Sequence, residues 1–341
     1  MRIPLKFSIK DSLSFFYVNP WLGLLIALLI TPFKTKLDTN IILVAFFAFA
    51  FSFLAVFHNN NFDSFINWLI LITLLIFSLN YKNNSNIPSM LIADLYFFIG
   101  TLVMLYIVFI SSDTGTNRWG LYGGEPNFSG LAYLSYLVVY LSRGFSRAFG
   151  IYLFVLFLSI LICTVSRTLF VSSVLLTFFY YFRNKRFLIT LAFLVVANSV
   201  FFGSYIISFI DDIAIFEKTG YSEGIGRLIS INDYSSAYRL ELQQIWYEEI
   251  FSSYQNFLFG MPASDFLFLV EVNEANVHNS FIQKTAEYGI VYTLLFIILS
   301  LRYLPLWIAY SFFTYSLFLH NVLSIPWVII ISLLIMMPNQ K

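Results

Sequence analysis

Long apolar runs separated by short polar or basic turns fill most of this sequence. Each run is about 16–23 residues long, and at 1.5 Å per residue a helix of that length crosses a hydrocarbon core of about 30 Å. Only helices satisfy their own backbone hydrogen bonds at that depth without closing a barrel. The pattern predicts an all-α, polytopic transmembrane bundle of about eleven helices, at residues 14–33, 40–57, 62–80, 90–110, 126–142, 149–165, 167–182, 187–209, 278–300, 303–319 and 321–337.

Basic residues in the short loops set the predicted orientation, because Lys and Arg are enriched in cytoplasmic loops. The strongly basic turn at 183–186 is assigned to the cytoplasm. If successive loops alternate between the two sides of the membrane, these basic residues lie on the cytoplasmic side: Lys34, Lys36, Lys82, Arg143, Arg147, Arg183, Lys185, Arg186, Arg302 and Lys341. The segments at 58–62, 111–125 and 210–277 then face outward. The basic residues at 2–10 would start outside, which implies either a miscounted helix or a first segment lying along the cytoplasmic interface.

The long outward segment divides the chain into N-terminal helices (1–209), a large periplasmic loop (210–277) and C-terminal helices (278–341). The loop holds eleven acidic and three basic residues, a net charge of −8. Because loops of this length rarely lack structure, we expect it to be partly helical. Residues 236–253 predict an amphipathic helix that buries Leu240, Ile245 and Ile250.

Composition supports a lipid environment and excludes several functions. Hydrophobic residues make up 59% of the chain and charged residues only 11%, more apolar surface than a soluble domain of this size hides. A net charge of +1 without a basic patch argues against nucleic acid. The single Cys163 excludes an internal disulfide, and three scattered histidines at 58, 278 and 320 make a metal site unexpected.

Arg167 lies in CTVSRTLF, between apolar stretches that together run from Phe149 to Phe182. An arginine near the middle of a transmembrane helix costs about 2.5–3.5 kcal/mol on insertion scales, so it is by default a candidate functional group. If a helix boundary falls at Ser166, the side chain lies at the outer interface and needs no function.

Two further candidates lie in or beside the acidic loop. Arg239 opens the predicted helix 236–253, and His278 begins the next apolar run, in VHNSFIQKTAEYGI. Histidine exchanges protons near neutral pH, which suits contact with a substrate at a membrane entrance. The alternative is structural, with His278 and Asn279 forming a helix start in which Asn279 caps backbone N–H groups.

The segment TNRWGLYGGEPNFSG (116–130) adds Arg118 and Asn127 on the outer face. Its glycines permit tight turns, and Pro126 or Asn127 suits the start of the next helix. As a turn alone, this segment needs no function.

Taken together, Arg118, Arg167, Arg239 and His278 are all predicted on one membrane face. Guanidinium groups bind phosphate oxygens bidentately and stay charged, so the set suits a pyrophosphate. The arginines would hold a polyprenyl diphosphate and stabilise it as a leaving group. His278 or a nearby carboxylate would take the proton from the attacking sugar hydroxyl.

The C-terminal third resembles the bacterial O-antigen polymerase and O-antigen ligase superfamily, the Wzy-like and WaaL-like proteins. The resemblance lies in the order YRLELQQIWYEEIF, NFLFG at 256–260 and HNSFIQKTAEYGI at 278–290. SRTLF at 166–170 looks like the family's membrane arginine, and RWG with EPN looks like its upstream pattern. The family's Gly-x-Gly turn appears here as Gly260, Met261 and Pro262, a departure that leaves the path of this loop open.

The resemblance implies inverting glycan transfer from undecaprenyl diphosphate at the periplasmic face of a bacterial inner membrane, without metal or cofactor. It implies that Arg167 and Arg239 contact the donor diphosphate and that His278 lies beside the diphosphate or the reacting hydroxyl. The second set of expected substrate contacts is Arg118, Asn127, Asn279 and Glu287. The expected partners are undecaprenyl-diphosphate-linked oligosaccharide and polysaccharide, membrane lipid and a chain-length regulator protein.

Within this superfamily we expect a repeat-unit polymerase for O-antigen or capsule, because compact chains rich in Phe and Ile are typical of repeat-unit gene clusters. An O-antigen ligase that moves finished polymer onto lipid A core uses the same donor head group. A transporter or flippase would show charged residues or broken helices near the bilayer midplane in paired halves, and the sequence has no inverted repeat. A purely structural assembly partner would leave the outer cationic cluster unexplained.

Overall fold

The computed structural model describes residues 91–110, 118–201, 234–272 and 277–319, together with a few single positions before residue 91. The spans predicted at 14–33, 40–57, 62–80 and 321–337, the basic N-terminal residues and loop positions 202–233 lie outside the described residues.

The all-α prediction is confirmed in these segments, which hold eleven α-helices and no strand. The helices are α1 (Leu91–Ile110), α2 (Pro126–Arg143), α3 (Arg147–Thr164), α4 (Arg167–Tyr181), α5 (Arg186–Phe201), α6 (Tyr234–Phe251), α7 (Tyr254–Phe259), α8 (Ala263–Val272), α9 (Ser280–Tyr288), α10 (Ile290–Tyr303) and α11 (Leu306–Phe318). A 3₁₀ turn at Leu121–Gly123 precedes α2. These eleven helices are not the eleven predicted spans, since α6, α7 and α8 lie in the polar loop.

Helix boundaries fall where the sequence supplies capping groups. The Glu125 carboxylate accepts a hydrogen bond from the Phe128 N–H, and Pro126 occupies the first position of α2. Ser146 and Ser166 cap α3 and α4 in the same way. Gly144 ends α2 with a positive φ of 73°. Local polar residues therefore divide one long apolar region into three separate helices.

The main core forms where α1–α5, α10 and α11 pack together. Helix α11 lies at its centre, because every side chain from Trp307 to Leu317 is buried. Its closest neighbours are α4 and α5. A helix that is apolar and buried on all sides is expected in the middle of a bundle rather than at its surface.

An aspartate near the start of α1 joins three helices at one end of the bundle. The Tyr136 hydroxyl donates to the Asp94 carboxylate at 2.5 Å, and the Tyr140 hydroxyl donates to the same oxygen. Tyr152 of α3 reaches the Asp94 backbone carbonyl at 3.4 Å. These three hydrogen bonds hold α1 against α2 and α3.

A smaller core lies under the polar loop, where α6 packs on α9. The predicted helix is confirmed at Tyr234–Phe251, but its predicted buried face is only partly right. Ile250 is buried, whereas Ile245 is half-buried and the Leu240 side chain lies outside the described set. The buried row is Leu242, Trp246 and Ile250, because a spacing of four residues brings the large indole onto the face toward α9.

The prediction of a single helix at 278–300 is wrong, because the helix is interrupted at Gly289, between α9 and α10. Gly289 has φ of 84°, and a Cβ built there would lie 2.1 Å from the Leu258 carbonyl oxygen. Gly260 (φ 90°) faces it from the loop, with a hypothetical Cβ 2.8 Å from the Glu287 carbonyl. Met261 N–H donates to the Ala286 carbonyl at 2.7 Å. Two glycines thus permit a backbone crossing, which fixes the path of the loop at 260–262.

Gly289→Ala is expected to destabilise the protein by more than about 3 kcal/mol, because the methyl group meets backbone and not a movable side chain. Gly144→Ala is the matched control, since Gly144 also has positive φ but nothing within 4 Å of the added Cβ. Both variants carry the strain of a non-glycine residue at positive φ and extended ψ, about 1–3 kcal/mol, and only Gly289→Ala adds the clash. Thermal unfolding in detergent micelles measures both. Equal melting temperatures for the two variants would contradict the crossing.

Candidate functional site

Asn127 is the centre of a buried polar cluster at the start of α2. Its side-chain oxygen accepts from the Arg118 guanidinium at 2.9 Å and from the Ser166 hydroxyl at 3.0 Å. Its amide nitrogen donates to Glu125 at 2.9 Å, and its backbone carbonyl accepts from the Tyr315 hydroxyl at 2.8 Å. Two acceptor sites and one donor of the amide are used, so the orientation of Asn127 is fixed.

Arg118 also closes the C-terminal end of α3. Its Nε donates to the Thr164 carbonyl at 2.9 Å, and the next residue, Trp119, donates its N–H to the Cys163 carbonyl at 3.0 Å. The last carbonyls of a helix have no partner within the helix, and a cation is favourable there. Arg118, which was predicted as a substrate contact, therefore has a structural role. Its hydrogen bonds hold the half-buried guanidinium between α2 and α3.

The structure resolves the two interpretations of Arg167, because α3 ends at Thr164 and α4 begins at Arg167. The residue lies at a helix boundary, half-buried, and not in the middle of a span. Val165 between the helices has φ 43° and ψ 44°, a left-handed conformation that is strained for a β-branched residue. A cation at a helix start opposes the helix dipole, so Arg167 stands where an anion would relieve the charge.

At the start of α9, the capping interpretation of Asn279 is confirmed. Its side-chain oxygen accepts from the N–H groups of Phe281 (3.0 Å) and Ile282 (3.3 Å), and the residue is fully buried. His278 directly precedes this cap and is half-buried. A rigid helix start therefore sets the position of His278. Asn279, also predicted as a substrate contact, has a fully buried side chain that caps α9.

The C-terminal end of α11 connects the Asn127 cluster to α9. The Tyr315 hydroxyl reaches Asn127 because Gly130 has no side chain; a Cβ on Gly130 would lie 2.6 Å from that hydroxyl. Leu319 follows Tyr315 by one helical turn, about 6 Å. Its carbonyl accepts from the Ser280 hydroxyl at the first position of α9. The predicted residues of α2, α4 and α9 therefore lie at the same end of the bundle.

The predicted residue Glu287 lies on α9 and forms a buried polar cluster of its own. Its carboxylate accepts from the Gln283 amide at 2.8 Å and pairs with the Lys284 ammonium group. The Lys284 nitrogen also lies 5.0 Å from the centre of the Tyr288 ring. Sequence reasoning missed Lys284, although a lysine three residues before a glutamate at the start of a long apolar run is a visible signal.

Sequence reasoning also missed the two partners that orient Asn127. Glu125 belongs to the EPN triplet, and an acidic residue directly before a proline is a common helix start. Ser166 precedes Arg167, where a helix boundary would need a capping hydroxyl. The contact between Ser166 and Asn127 is not visible along the chain, because 39 residues separate them.

Arg239 lies on a different element from the other two arginines. It lies half-buried near the start of α6, the helix that packs on α9 through Trp246 and Ile250. Arg118 and Arg167, in contrast, flank Asn127. The predicted set is therefore divided between the main bundle and the helical loop, with α9 between them.

An apolar groove of about 440 Å³ runs between the main bundle and the loop helices. It is lined by α5, α10 and α11 on one side and by α6, α7 and α9 on the other. Representative lining residues are Phe193, Tyr247, Phe281, Ile297, Tyr310 and Phe313. Burial raises the pKa of Tyr247 above its ordinary value, so this phenol stays neutral. The volume and the apolar lining suit a hydrocarbon chain.

Comparison of the chain with protein-family models, with curated proteins and with solved structures gives no match. The superfamily resemblance therefore stays a prediction that depends on the motifs and on the arrangement of the residues above.

Asn127→Ala is expected to cost on the order of 3 kcal/mol, because it leaves the buried Ser166 hydroxyl and the half-buried Arg118 guanidinium without their common acceptor. Asn198→Ala is the control, since Asn198 is an exposed helical asparagine whose amide bonds only its own helix, at Leu194. The control is expected to change the free energy of unfolding by less than about 0.5 kcal/mol. Denaturant unfolding followed by tryptophan fluorescence measures both, and a small effect for Asn127→Ala would contradict the cluster.

Proposed function

We propose that this chain is a polytopic membrane protein whose main bundle lies in the bilayer. Helices α1 and α3, of 20 and 18 residues, are long and apolar enough to cross it. Only 28% and 33% of their most apolar windows are buried. The core helix of a soluble protein would be mostly buried, whereas Phe109 on α1 is 87% exposed and Ile151 on α3 is 66% exposed. Lipid contact explains these outward-facing side chains.

The basic turn between α4 and α5 supports the orientation. Arg183, Lys185 and Arg186 lie at the C-terminal end of α4, whereas Arg167 lies at its N-terminal end. Fifteen helical residues separate the two ends by about 22 Å. Because basic turns favour the cytoplasm, the candidate site faces the opposite side, the periplasm of a bacterial inner membrane.

The proposed activity is that of a repeat-unit polymerase, which transfers a growing glycan from undecaprenyl diphosphate to an incoming lipid-linked repeat unit. The observation that carries this proposal is the Asn127 cluster, which fixes Arg118 and holds Ser166, the residue before Arg167, at one end of the bundle. Arginines held in place bind a diphosphate without reorganisation. The apolar groove next to α9 accommodates part of the polyprenyl chain.

The reaction is a single displacement at the anomeric carbon of the donor glycan. The hydroxyl oxygen of the acceptor sugar attacks this carbon from the side opposite the diphosphate, and inversion follows. The bond between the anomeric carbon and the diphosphate oxygen breaks, and its electron pair leaves with the diphosphate. His278 or Glu287 takes the proton of the hydroxyl. The arginines stabilise the charge that grows on the leaving group, with no metal or cofactor required by this scheme.

Donor binding tests the cationic part of the site. Undecaprenyl diphosphate at 100 times its dissociation constant is expected to stabilise the purified protein by about 2.7 kcal/mol, read as a rise in melting temperature. Undecaprenyl monophosphate, with one phosphate fewer, should give a smaller rise. Arg167→Ala should reduce this diphosphate effect, because it removes one of the guanidinium groups that are proposed to hold the diphosphate.

Arg186→Ala is the matched control for this measurement, since Arg186 lies at the opposite end of the bundle. Its variant should keep the full rise in melting temperature. An undiminished rise for Arg167→Ala would exclude this residue from the diphosphate site, and no rise for the wild-type protein would exclude the donor.

Deletion of the gene distinguishes the polymerase from its alternatives. For a polymerase, gels of surface glycolipid should show core with a single repeat unit and no longer bands, and His278→Ala or Arg239→Ala should reproduce this pattern. Long polymer persisting on the carrier lipid with bare core would instead identify a ligase. Repeat units that accumulate on the carrier at the cytoplasmic face would identify a flippase, and an unchanged ladder would contradict all three.

A further inference from the structure

The buried ion pair on α9 is a feature that protein stability does not explain. The side chains of Lys284 and Glu287 are only 5% and 14% exposed. Removing two charges from water costs free energy that their attraction only partly returns, so buried pairs are often replaced by apolar residues without loss of stability. Hydrophobic residues make up 59% of this chain, so apolar side chains at these two positions would match its general composition.

The orientation of the pair is also unfavourable for the helix. Glu287 lies in the last turn of α9, where a negative charge opposes the helix dipole. Lysine before glutamate along the chain is the less favourable order for a helical ion pair. Departures from the charge preferences of a helix at a buried position are typical of functional sites and not of structural ones.

The surroundings hold the Glu287 carboxylate in one direction. Each of its oxygens has a donor, one from the Gln283 amide and one from the Lys284 ammonium group. The Lys284 nitrogen lies over the Tyr288 ring, and the Glu287 backbone is fixed by the crossing at Gly260. The direction of this carboxylate is therefore fixed by two donors and by a rigid backbone.

Glu287 belongs to the polar face of α9 that begins at Ser280. Ser280, Gln283, Lys284 and Glu287 form one polar row along α9, since they are three or four residues apart. The groove is lined by the other face, through Phe281, Ile282 and Thr285. Ser280 joins the polar row to the end of α11, and Tyr315 joins that end to Asn127.

We propose that Lys284 is a positioning residue of this site, which together with Gln283 orients the Glu287 carboxylate to accept a hydrogen bond from the hydroxyl of the acceptor sugar. This inference rests on the proposed glycan transfer. It assigns the acceptor to the polar row of α9 and leaves the donor diphosphate to the arginines beside Asn127.

The decisive variant exchanges the two residues, Lys284→Glu with Glu287→Lys. The exchange keeps an ion pair at the same spacing and gives it the favourable order for a helix, so folding and melting temperature should be preserved. The carboxylate is moved by one helical turn. We expect undecaprenyl diphosphate binding to be unchanged and polymer formation to fall about 100-fold, the size of effect that misplacing a reacting group produces.

The assay uses purified full-length protein in detergent and the lipid-linked repeat unit extracted from the strain that lacks the gene. Lys284→Arg keeps the cation and should retain part of the activity. Lys185→Met is the control for loss of a lysine, because Lys185 is exposed at the opposite end of the bundle, and it should polymerise like the wild type.

Wild-type polymer formation by the exchanged variant would overturn the role of Lys284 and Glu287, and the proposed function would stand. A wild-type protein that neither binds undecaprenyl diphosphate nor forms polymer would overturn the proposed function itself. Should the exchanged variant not fold, Lys284→Met with Glu287→Gln, an uncharged pair, decides the matter. A folded and fully active uncharged pair would overturn the inference, and a folded but inactive one would support it.

Discussion

The hydrogen bonds of Asn127 hold the ends of four helices at one place. Its side chain joins α2 to α4 through Ser166 and to the end of α3 through Arg118, and its backbone carbonyl joins α2 to α11 through Tyr315. In an apolar interior, van der Waals packing alone leaves helices free to slide, whereas a buried amide with several partners permits one arrangement. The positions of Arg118 and Arg167 follow from this arrangement, since both flank the bonds that Asn127 makes.

A second constraint fixes the loop helices on this framework. The backbone crossing at Gly260 and Gly289 brings α7 against the junction of α9 and α10, so α9 is a short separate helix and not the first half of a long span. As a result α9 lies between the two cores, with one face on the groove and the other toward the end of α11. The position of His278, at the capped start of α9, depends on that break.

Three locally unfavourable features lie on the elements of the candidate site. Val165 adopts a left-handed conformation directly before Ser166 and Arg167, Arg167 opposes the dipole of α4, and Glu287 opposes that of α9. The opposite end of the bundle holds Asp94, which receives hydrogen bonds from Tyr136 and Tyr140, but Arg147 and Arg186 also open α3 and α5 there. A cation at a helix start therefore occurs at both ends, and the strained backbone at Val165 is the feature expected of a functional site.

The sequence by itself determined the all-α class, most helix boundaries in the described segments and the helix in the polar loop. Apolar run length, capping residues such as Ser166 and the proline at position 126 act within a few residues, and local signals of this kind are readable along the chain. The capping role of Asn279 was one of two interpretations that the sequence left open, and contacts within its own helix decided it.

Only the tertiary structure decided which candidates meet. Asn127 and Ser166 are 39 residues apart, and Tyr315 lies 188 residues from Asn127, so neither contact leaves a local pattern. The break at Gly289 likewise depends on a carbonyl of Leu258 from a different helix. Burial of the Lys284–Glu287 pair is also a property of the surroundings of α9. Such contacts are set by how distant helices pack, and residue spacing along one helix carries no information about them.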